Sequence, residues 1–143
     1  MPALRFSSAI LLACGLIGCG RPTSPFCAKG LYPVTERSLP GKTLWCESKD
    51  QARAQWIEFH AGTTKLRQSC AFHNGKPEGS FTAWHPERRV WVQGQFASGQ
   101  KIGKWKQWDA SGGEVAEGDY SGGRLVAGAP VGAAAGCEAA AAH

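Results

Sequence analysis

A 24-residue repeat is the feature of this sequence that most restricts its fold. "NGKPEGSFTAW" at residues 74–84 is followed 24 positions later by "SGQKIGKWKQW" at residues 98–108. The glycines that keep this interval are Gly75, Gly99 and Gly123, then Gly79 and Gly103, then Gly94 and Gly118. The aromatic residues that keep it are Phe81 and Trp105, Trp84 and Trp108, and Phe96 and Tyr120. A unit of this length is too short for a domain and fits two strands of about five to six residues with two turns.

Each unit is predicted to be a β-hairpin. The stretches between the turns are short, aromatic or β-branched, and free of proline: "GSFTAW", "VWVQGQF", "GKWKQW" and "EVAEGDY". Asn74-Gly75 tolerates the positive φ of a hairpin turn, and later glycine-containing pairs occupy the same place. We expect the in-strand glycines to admit a ring from a neighbouring strand. The tryptophans are expected to supply most of the buried area.

An earlier, degenerate copy precedes the two clear units. With one residue of slippage, Trp56 and Phe59 correspond to the first aromatic pair, and Phe72 corresponds to the closing aromatic residue. Cys70 stands where the later units have glycine. The array is therefore predicted to cover residues 52–125, with a final half-unit at "SGGRL".

These residues resemble the MORN repeat (membrane occupation and recognition nexus), in the variant form of bacterial lipoproteins and antitoxin-like proteins. The resemblance rests on the pattern G-x-W-x-x-[WY]…G-x-[YF]-x-x-G and covers residues 52–125. It implies an all-β fold in which stacked hairpins form one elongated, twisted antiparallel sheet, and it implies no enzymatic activity. The departures from the pattern are Cys70 in place of a glycine and the weak first unit.

The N-terminal residues are typical of an exported lipoprotein. Residues 1–18 contain one basic residue, Arg5, and an apolar run that is too short to span a bilayer and fits a signal peptide. The sequence "LIGC", which ends at Cys19, resembles the bacterial lipobox, in which the cysteine is acylated and the chain is cut before it. The alternatives are an ordinary signal peptide and acylation at Cys14. Gly20, where inner-membrane retention usually has aspartate, suggests the outer membrane.

The charge of the chain says little about partners. There are 16 Lys and Arg residues against 11 Asp and Glu residues, a net charge of +5. This excess fits weak attraction to anionic headgroups or acidic glycans, and it is equally common by chance. Because export is predicted, nucleic acid is not an expected partner.

Four cysteines follow the predicted lipid site: Cys27, Cys46, Cys70 and Cys137. An even number in an exported chain predicts disulfides, and the spacings match no zinc motif, so no metal and no cofactor are expected. Four cysteines allow three connectivities. Residues 46 and 70, one repeat apart, would lie on alternate strands about 9–10 Å apart, beyond the limit of about 7 Å between disulfide-linked Cα atoms. We therefore favour Cys27–Cys46 and Cys70–Cys137.

The flanks of the array divide into short segments. Residues 19–26 are predicted to be a tether between the lipid and the domain. Residues 27–51 contain two cysteines and two prolines and predict a disulfide-tied N-terminal cap, which would cover a face or edge of the array. Residues 126–143 form a low-complexity tail, which Cys137 would hold in place.

The sequence shows no catalytic constellation. "PGKT" at 40–43 ends like a phosphate-binding loop, but the first glycine of that motif is replaced by Glu36. His60 and His85 directly follow repeat aromatic residues, at a position where the next unit has Asp109. A position that accepts histidine and aspartate in turn indicates a polar turn residue.

Two groups of residues are candidates for binding. Trp91 corresponds to Val115 in the next unit, so it either marks a contact surface or packs against the cap. A basic stripe along the sheet would contain Arg88, Arg89, Lys104 and Lys106, together with Lys76 and Lys101. We favour the alternative that these are edge-strand cations, which oppose aggregation.

The lipobox and the repeat predict a non-catalytic, lipid-anchored repeat protein of the cell envelope whose sheet surface binds a protein, lipid or glycan partner. The first alternative is an antitoxin-like protein that neutralises a toxin or a secreted effector. The second alternative is a hydrolase of envelope polymers, for which the scattered glutamates offer no equivalent acid/base pair.

Overall fold

The computed structural model describes residues 23–132, 137, 140 and 141. Within them, one antiparallel sheet is built from consecutive strands whose spatial order is their order in the chain. The strands are β1 (Tyr32–Pro33), β2 (Thr43–Glu47), β3 (Arg53–Phe59), β4 (Leu66–His73), β5 (Lys76–Trp84), β6 (Val90–Ala97), β7 (Gln100–Trp108), β8 (Glu114–Ser121) and β9 (Arg124–Gly128). The predicted all-β sheet of hairpins is confirmed. The predicted signal peptide and the lipid site at Cys19 lie outside the described residues.

The three units pair in the same way. The first ring of each unit lies opposite a small residue of the next strand: Trp56 opposite Cys70, Phe81 opposite Gly94, and Trp105 opposite Gly118. The pairing then shifts just before the second ring, at Glu58/Phe59, Ala83/Trp84 and Gln107/Trp108. A bulge of this kind increases the local twist of a strand. The one-residue slippage assigned to the first unit is therefore confirmed.

The sheet has two unlike faces, because successive side chains of a strand point in opposite directions. We call one face the core face. Its buried side chains are Trp45, Ala54, Cys70, Phe72, Phe81, Ala83, Val92, Phe96 and Trp105. We call the other the open face. Near the N-terminus it carries a smaller buried cluster of Leu31, Cys46 and Ile57, and beyond that cluster its side chains are mostly polar.

Gly94 shows why the repeat keeps its in-strand glycines. A Cβ added at Gly94 would lie 2.1 Å from Cδ2 of Trp105. The ring of Trp105 is buried, stacks on Phe81 with ring centroids 5.5 Å apart, and donates from Nε1 to the Gln95 carbonyl oxygen at 3.2 Å. The predicted role of this glycine is confirmed. In the first unit, Cys70 has the equivalent place and forms a disulfide instead.

The tryptophans, which were expected to supply most of the buried area, differ in burial: Trp105 has no exposed surface, unlike Trp84 and Trp108. Both are half-buried, and each borders a groove on the open face. They lie three residues after Phe81 and Trp105. Because side chains alternate along a strand, an odd spacing places the two rings of a unit on opposite faces.

Both favoured disulfides are present. The Cα atoms are 5.8 Å apart in Cys27–Cys46 and 5.9 Å apart in Cys70–Cys137. Cys46 lies on β2 and Cys70 on β4, with β3 between them. They also belong to the clusters of opposite faces, so orientation excludes a Cys46–Cys70 bond in addition to distance.

The sheet extends beyond the predicted array at both ends. Residues 27–51, interpreted as a cap, contribute β1 and β2, and β2 pairs with β3. The sheet therefore begins before residue 52 and continues to Gly128, past the predicted end of the repeat array at residue 125. Before β1, Phe26 lies over the open face and contacts Phe59 edge-on with ring centroids 5.1 Å apart. After β1, Val34 packs against the core cluster and the Arg37 guanidinium lies 3.8 Å above the Trp45 ring.

The C-terminal residues lie over the core face. The backbone nitrogen of Val131 donates to Tyr120 Oη at 3.0 Å, and its carbonyl oxygen accepts from Lys101 Nζ at 3.3 Å. Val131, Cys137 and Ala140 are buried in the core cluster. The core face is thus covered by residues of the tail, together with Val34 and Arg37 of the N-terminal segment.

Candidate functional site

One ring of every unit lies on the open face, at the end of the first strand of that unit. These rings are Phe59 on β3, Trp84 on β5 and Trp108 on β7, and we call them the open-face ladder. Successive rings are two strands apart, about 10 Å at ~4.8 Å per strand. Phe59 is covered by Phe26, whereas Trp84 and Trp108 border open grooves. The ladder is therefore covered at its N-terminal end and accessible beyond it.

The groove beside Trp108 is polar and has a volume of about 370 Å³. Its main lining side chains are Ser80, Gln93, Gln95, Ile102, Lys104, Lys106 and Trp108. Within the part of the chain that the structure describes, the side chains of Ser80, Gln93 and Gln95 have no protein hydrogen-bond partner, and neither has Nε1 of Trp108. A flat ring beside unpartnered donors and acceptors can bind a ligand by stacking and by hydrogen bonds together.

Two lysines of this groove belong to a cross-strand ion cluster. Lys104 Nζ lies 3.0 Å from Glu117 and 3.3 Å from Asp119, and Lys106 Nζ lies 2.8 Å from Glu117 and 3.0 Å from Glu114. Hydrogen bonds to Glu117 are the main cause that raises the pKa of both lysines. The hydrogen bond from Lys106, followed by that from Lys104, lowers the pKa of Glu117. With two cations and three anions, this end of the open face is slightly negative.

A second groove lies beside Trp84 and has a volume of about 370 Å³. It is lined by Phe26, Thr64, Lys65, Leu66, Trp84 and Arg88. Unlike the first groove, it combines apolar side chains with two cations. Both grooves lie on the same face, one repeat apart.

Two histidines connect each unit to the next at the level of the ladder. His60 Nε2 donates to the Trp84 carbonyl oxygen at 3.0 Å, and His85 Nε2 donates to the Trp108 carbonyl oxygen at 3.0 Å. In the third unit, Asp109 Oδ1 accepts from the backbone nitrogens of the following turn. The prediction of polar turn residues is confirmed for Asp109. The repeat-to-repeat bonds of the histidines were missed, although their 25-residue spacing in the sequence could have indicated them.

Trp91 is not part of an open groove. It is half-buried, packs against the core cluster, and lies 6.0 Å from the His85 ring between centroids. Of the two interpretations of Trp91, packing is the one that its contacts support, although its partners are in the core cluster and not in a cap.

The predicted basic stripe does not form. Lys104 and Lys106 are in the ion cluster, while Arg88 borders the Trp84 groove. Arg89 donates to the carbonyl oxygen of Ser111 in the next turn. Lys101 is on the core face, with Nζ 4.6 Å from the Trp105 ring centroid. The edge-strand alternative is also wrong for the β7 lysines, because β7 lies between β6 and β8.

A larger cavity of about 650 Å³ lies on the core face beside the tail. Its lining includes Trp45, Trp56, Arg37, Arg67 and Glu58. Arg67 Nη1 lies 3.5 Å from Glu58, and the Arg37 guanidinium lies 3.8 Å above the Trp45 ring. Apart from Glu36, the charged side chains of this cavity are therefore paired with one another or with a ring. Sequence analysis did not find it, because its walls come from four separate segments.

Metal and membrane features were also sought in the described ranges. No group of three or more His, Cys, Asp or Glu side chains within 23–132, 137 and 140–141 is placed to hold a metal ion. In the same ranges, no helix has the length and apolarity needed to cross a bilayer.

Comparisons with known proteins identify no family. No family model matches the chain, and no curated protein matches it. The pneumococcal O-GlcNAc transferase GtfA, in complex with UDP and GlcNAc, is similar over 60% of this chain and 17% of its own, with 12% identity and a TM-score of 0.41. A mutant of S. aureus TarM, in complex with Fondaparinux, alpha-GlcNAc-glycerol and UDP, is similar over 68% of this chain and 19% of its own, with 14% identity and a TM-score of 0.42. The chain spans less than a fifth of either protein, and scores this low support no conclusion on activity.

Proposed function

We propose that this chain is a non-catalytic, lipid-anchored repeat protein of the cell envelope that binds a partner through its open face. The lipobox-like sequence at Cys19 supports the anchor. The observation that supports binding is the open-face ladder. Trp84 and Trp108 are only half-buried, although the rings that precede them in each unit are fully buried.

The MORN-like pattern supports the same proposal. Its glycines and first rings build the core face, so the sheet needs no contribution from the exposed parts of Trp84 and Trp108. Large rings that remain accessible at regular intervals are typical of a contact surface. The partner would lie across the strands, along the row of rings.

Membrane fractionation tests the anchor. The wild-type chain should sediment with membranes, and the Cys19→Ser variant should move to the soluble fraction. A variant that stays with the membranes would show that Cys19 is not the attachment site. Cys14→Ser is the matched control and should leave the distribution unchanged.

Cross-linked capture from envelope extracts tests the binding face. Trp108→Ala should reduce the recovery of cross-linked partners severalfold relative to wild type. Val126→Ala changes an apolar side chain that is 63% exposed on β9 and should leave recovery unchanged. Equal recovery by both variants would contradict the proposal that the open face is the binding surface.

A further inference from the structure

We infer that the open face binds a linear, β-1,4-linked pyranose chain laid across the strands, with Trp84 and Trp108 stacked on sugars one disaccharide apart. The inference rests on the proposed function, because it specifies the partner of the same face. It also follows from two independent properties of that face: the spacing of the rings, and the unpartnered polar groups in the groove beside Trp108.

The spacing of the rings matches such a chain. Trp84 ends β5 and Trp108 ends β7, so one strand separates them and their offset across the sheet is about 10 Å. In a β-1,4-linked pyranose chain, alternate sugars present the same face in the same direction, and the repeat is a disaccharide of about this length. One repeat unit of the protein therefore corresponds to one disaccharide.

The groups around the rings match the chemistry of a sugar. A pyranose ring has an apolar face of axial C–H groups, which packs on an indole, and an edge of hydroxyl groups, which need hydrogen-bond partners. The groove beside Trp108 supplies the Ser80 hydroxyl and the side-chain amides of Gln93 and Gln95, all without protein partners within the described residues. Nε1 of Trp84 and Nε1 of Trp108 are likewise without a protein acceptor there.

The charge differs between the two rings. Beside Trp108, Lys104 and Lys106 are already paired with Glu114, Glu117 and Asp119, and the cluster has one more anion than cations. Beside Trp84, Lys65 and Arg88 add two cations, so charge alone does not separate a neutral polymer from an acidic one. An extended peptide is less suitable, because peptides that join sheets bind through backbone groups at an edge strand, whereas the ladder lies on a face.

Calorimetric titration of the full chain in detergent tests the inference, with the di- and hexasaccharides of β-1,4-linked N-acetylglucosamine as probes. A hexasaccharide reaches both rings, so it should bind at least about tenfold more tightly than the disaccharide. Cellohexaose should show the same dependence on length if the linkage is recognised. Tight binding of the disaccharide without a gain for the hexasaccharide would overturn the two-ring arrangement.

Four variants locate the site. Trp108→Ala should weaken hexasaccharide binding by about tenfold, equivalent to ~1.4 kcal/mol, while Trp108→Phe keeps a ring and should retain most of the affinity. Trp84→Ala should lower the hexasaccharide affinity to the disaccharide level and leave the disaccharide affinity nearly unchanged. Trp56→Ala makes the same change on the core-face cavity and should have no effect. Circular dichroism first shows that each variant is folded. If Trp84→Ala is not folded, Trp84→Leu replaces it, because leucine keeps an apolar side chain but has no ring.

The outcomes separate this inference from the proposed function. A larger loss for Trp56→Ala than for Trp108→Ala would place the sugar in the core-face cavity and overturn the inference. Absence of sugar binding by the wild-type chain would also overturn it. In that case the proposed function stands if Trp108→Ala still reduces cross-linked capture of envelope partners, and it fails if capture is unchanged.

Discussion

The two faces of the sheet are built from the same repeat, yet one is closed and the other is accessible. On the core face, Phe81 and Trp105 have no exposed surface, because neighbouring rings, the Gly94 backbone and the C-terminal tail enclose them. On the open face, Trp84 and Trp108 come three residues later and remain half-buried. The repeat therefore places aromatic rings on both faces of the sheet. How deeply each ring is buried depends on the segment of the chain that lies above that face.

The covers of the two faces differ in how they are held. On the core face, the tail is tied to the sheet by Cys70–Cys137 and by the hydrogen bonds of Val131. On the open face, Phe26 of the N-terminal segment contacts Phe59 and also borders the Trp84 groove. The N-terminal segment therefore packs mainly on the first unit, and grooves remain open beside Trp84 and Trp108.

The largest expected difference between the faces is in the stability contributed by their rings. Trp105→Ala should lower the free energy of unfolding by about 3–5 kcal/mol, because it leaves a cavity between Phe81 and Gly94. Trp108→Ala removes the equivalent size of side chain from the open face and should cost about 1 kcal/mol or less. Urea denaturation followed by circular dichroism measures both, and similar losses would contradict the division into a closed and an accessible face.

Removal of the tail's disulfide should turn the core face into a second accessible face. Cys70→Ser with Cys137→Ser should cost about 2–4 kcal/mol, because the bond closes a long loop and restricts the unfolded chain. The sequence separation is 67 residues for this bond and 19 for Cys27–Cys46. The matched double variant Cys27→Ser with Cys46→Ser should therefore lose about 1 kcal/mol less.

A hydrophobic dye reports the same change without denaturant. Binding of the dye should increase for the Cys70→Ser, Cys137→Ser variant, since the rings under the tail become accessible, and it should increase less for the Cys27→Ser, Cys46→Ser variant. If both variants bind dye equally, the tail does not cover the core face in solution.

A single methyl group tests the close approach on the core face. Gly94→Ala should cost about 1–3 kcal/mol, because the new Cβ forces the Trp105 ring out of its position. Gln95→Ala, one residue later and exposed on the open face, should change the free energy of unfolding by about 0.5 kcal/mol or less. Thermal unfolding of the two variants gives the comparison, and a neutral Gly94→Ala would mean that the ring does not lie on the backbone.

The smallest effect is expected at the turn after the ladder. Hydrogen bonds from the Ser111 hydroxyl and then from the Gly113 backbone lower the pKa of Asp109. A carboxylate with a lowered pKa contributes stability that is complete above its ordinary pKa of about 3.9 and is lost as the pH falls through the folded-state value below it. Asp109→Asn keeps a hydrogen-bond acceptor but removes the charge, so the variant should be slightly less stable than wild type at pH 7. At the lowest pH the two should be equally stable, because the wild-type carboxyl group is then protonated and also uncharged. Unfolding midpoints between pH 7 and pH 2.5 test this, and a difference that does not change with pH would show that the charge is not involved.

The strands could be predicted from the repeat, because the spacing of glycines and aromatic rings in the sequence determines where each strand begins and ends. Glycine pairs specify hairpin turns, and rings at constant intervals specify equivalent strand positions, so the hairpins and their register could be inferred without coordinates. Strand spacing excluded Cys46–Cys70 and left two of the three connectivities, of which the favoured one is present. The alternation of side chains along a strand, applied to Phe81 and Trp84, would have assigned the two rings to opposite faces.

The candidate site was predictable only in part. The rings of the ladder were named, but as core residues. The residues named for binding lie in four different places: the ion cluster, the Trp84 groove, the turn that contains Ser111, and the core cluster. The sequence did not indicate this, because their partners are on other strands and turns, such as Glu117 for Lys104 and Ser111 for Arg89. Hydrogen bonds between units, such as that from His85 to Trp108, depend on atoms 23 residues apart.

By itself, the sequence determined the hairpins, their order in the sheet and the positions of the rings, because all of these follow from contacts between residues close in the chain. Only the tertiary structure decided which face is closed. The tail reaches the core face through Cys137, and Phe26 of the N-terminal segment reaches Phe59 and the edge of the Trp84 groove. Neither path follows from any local pattern. Burial depends on the segments that lie above a strand, so two rings of one repeat unit can differ in exposure although the repeat encodes them alike.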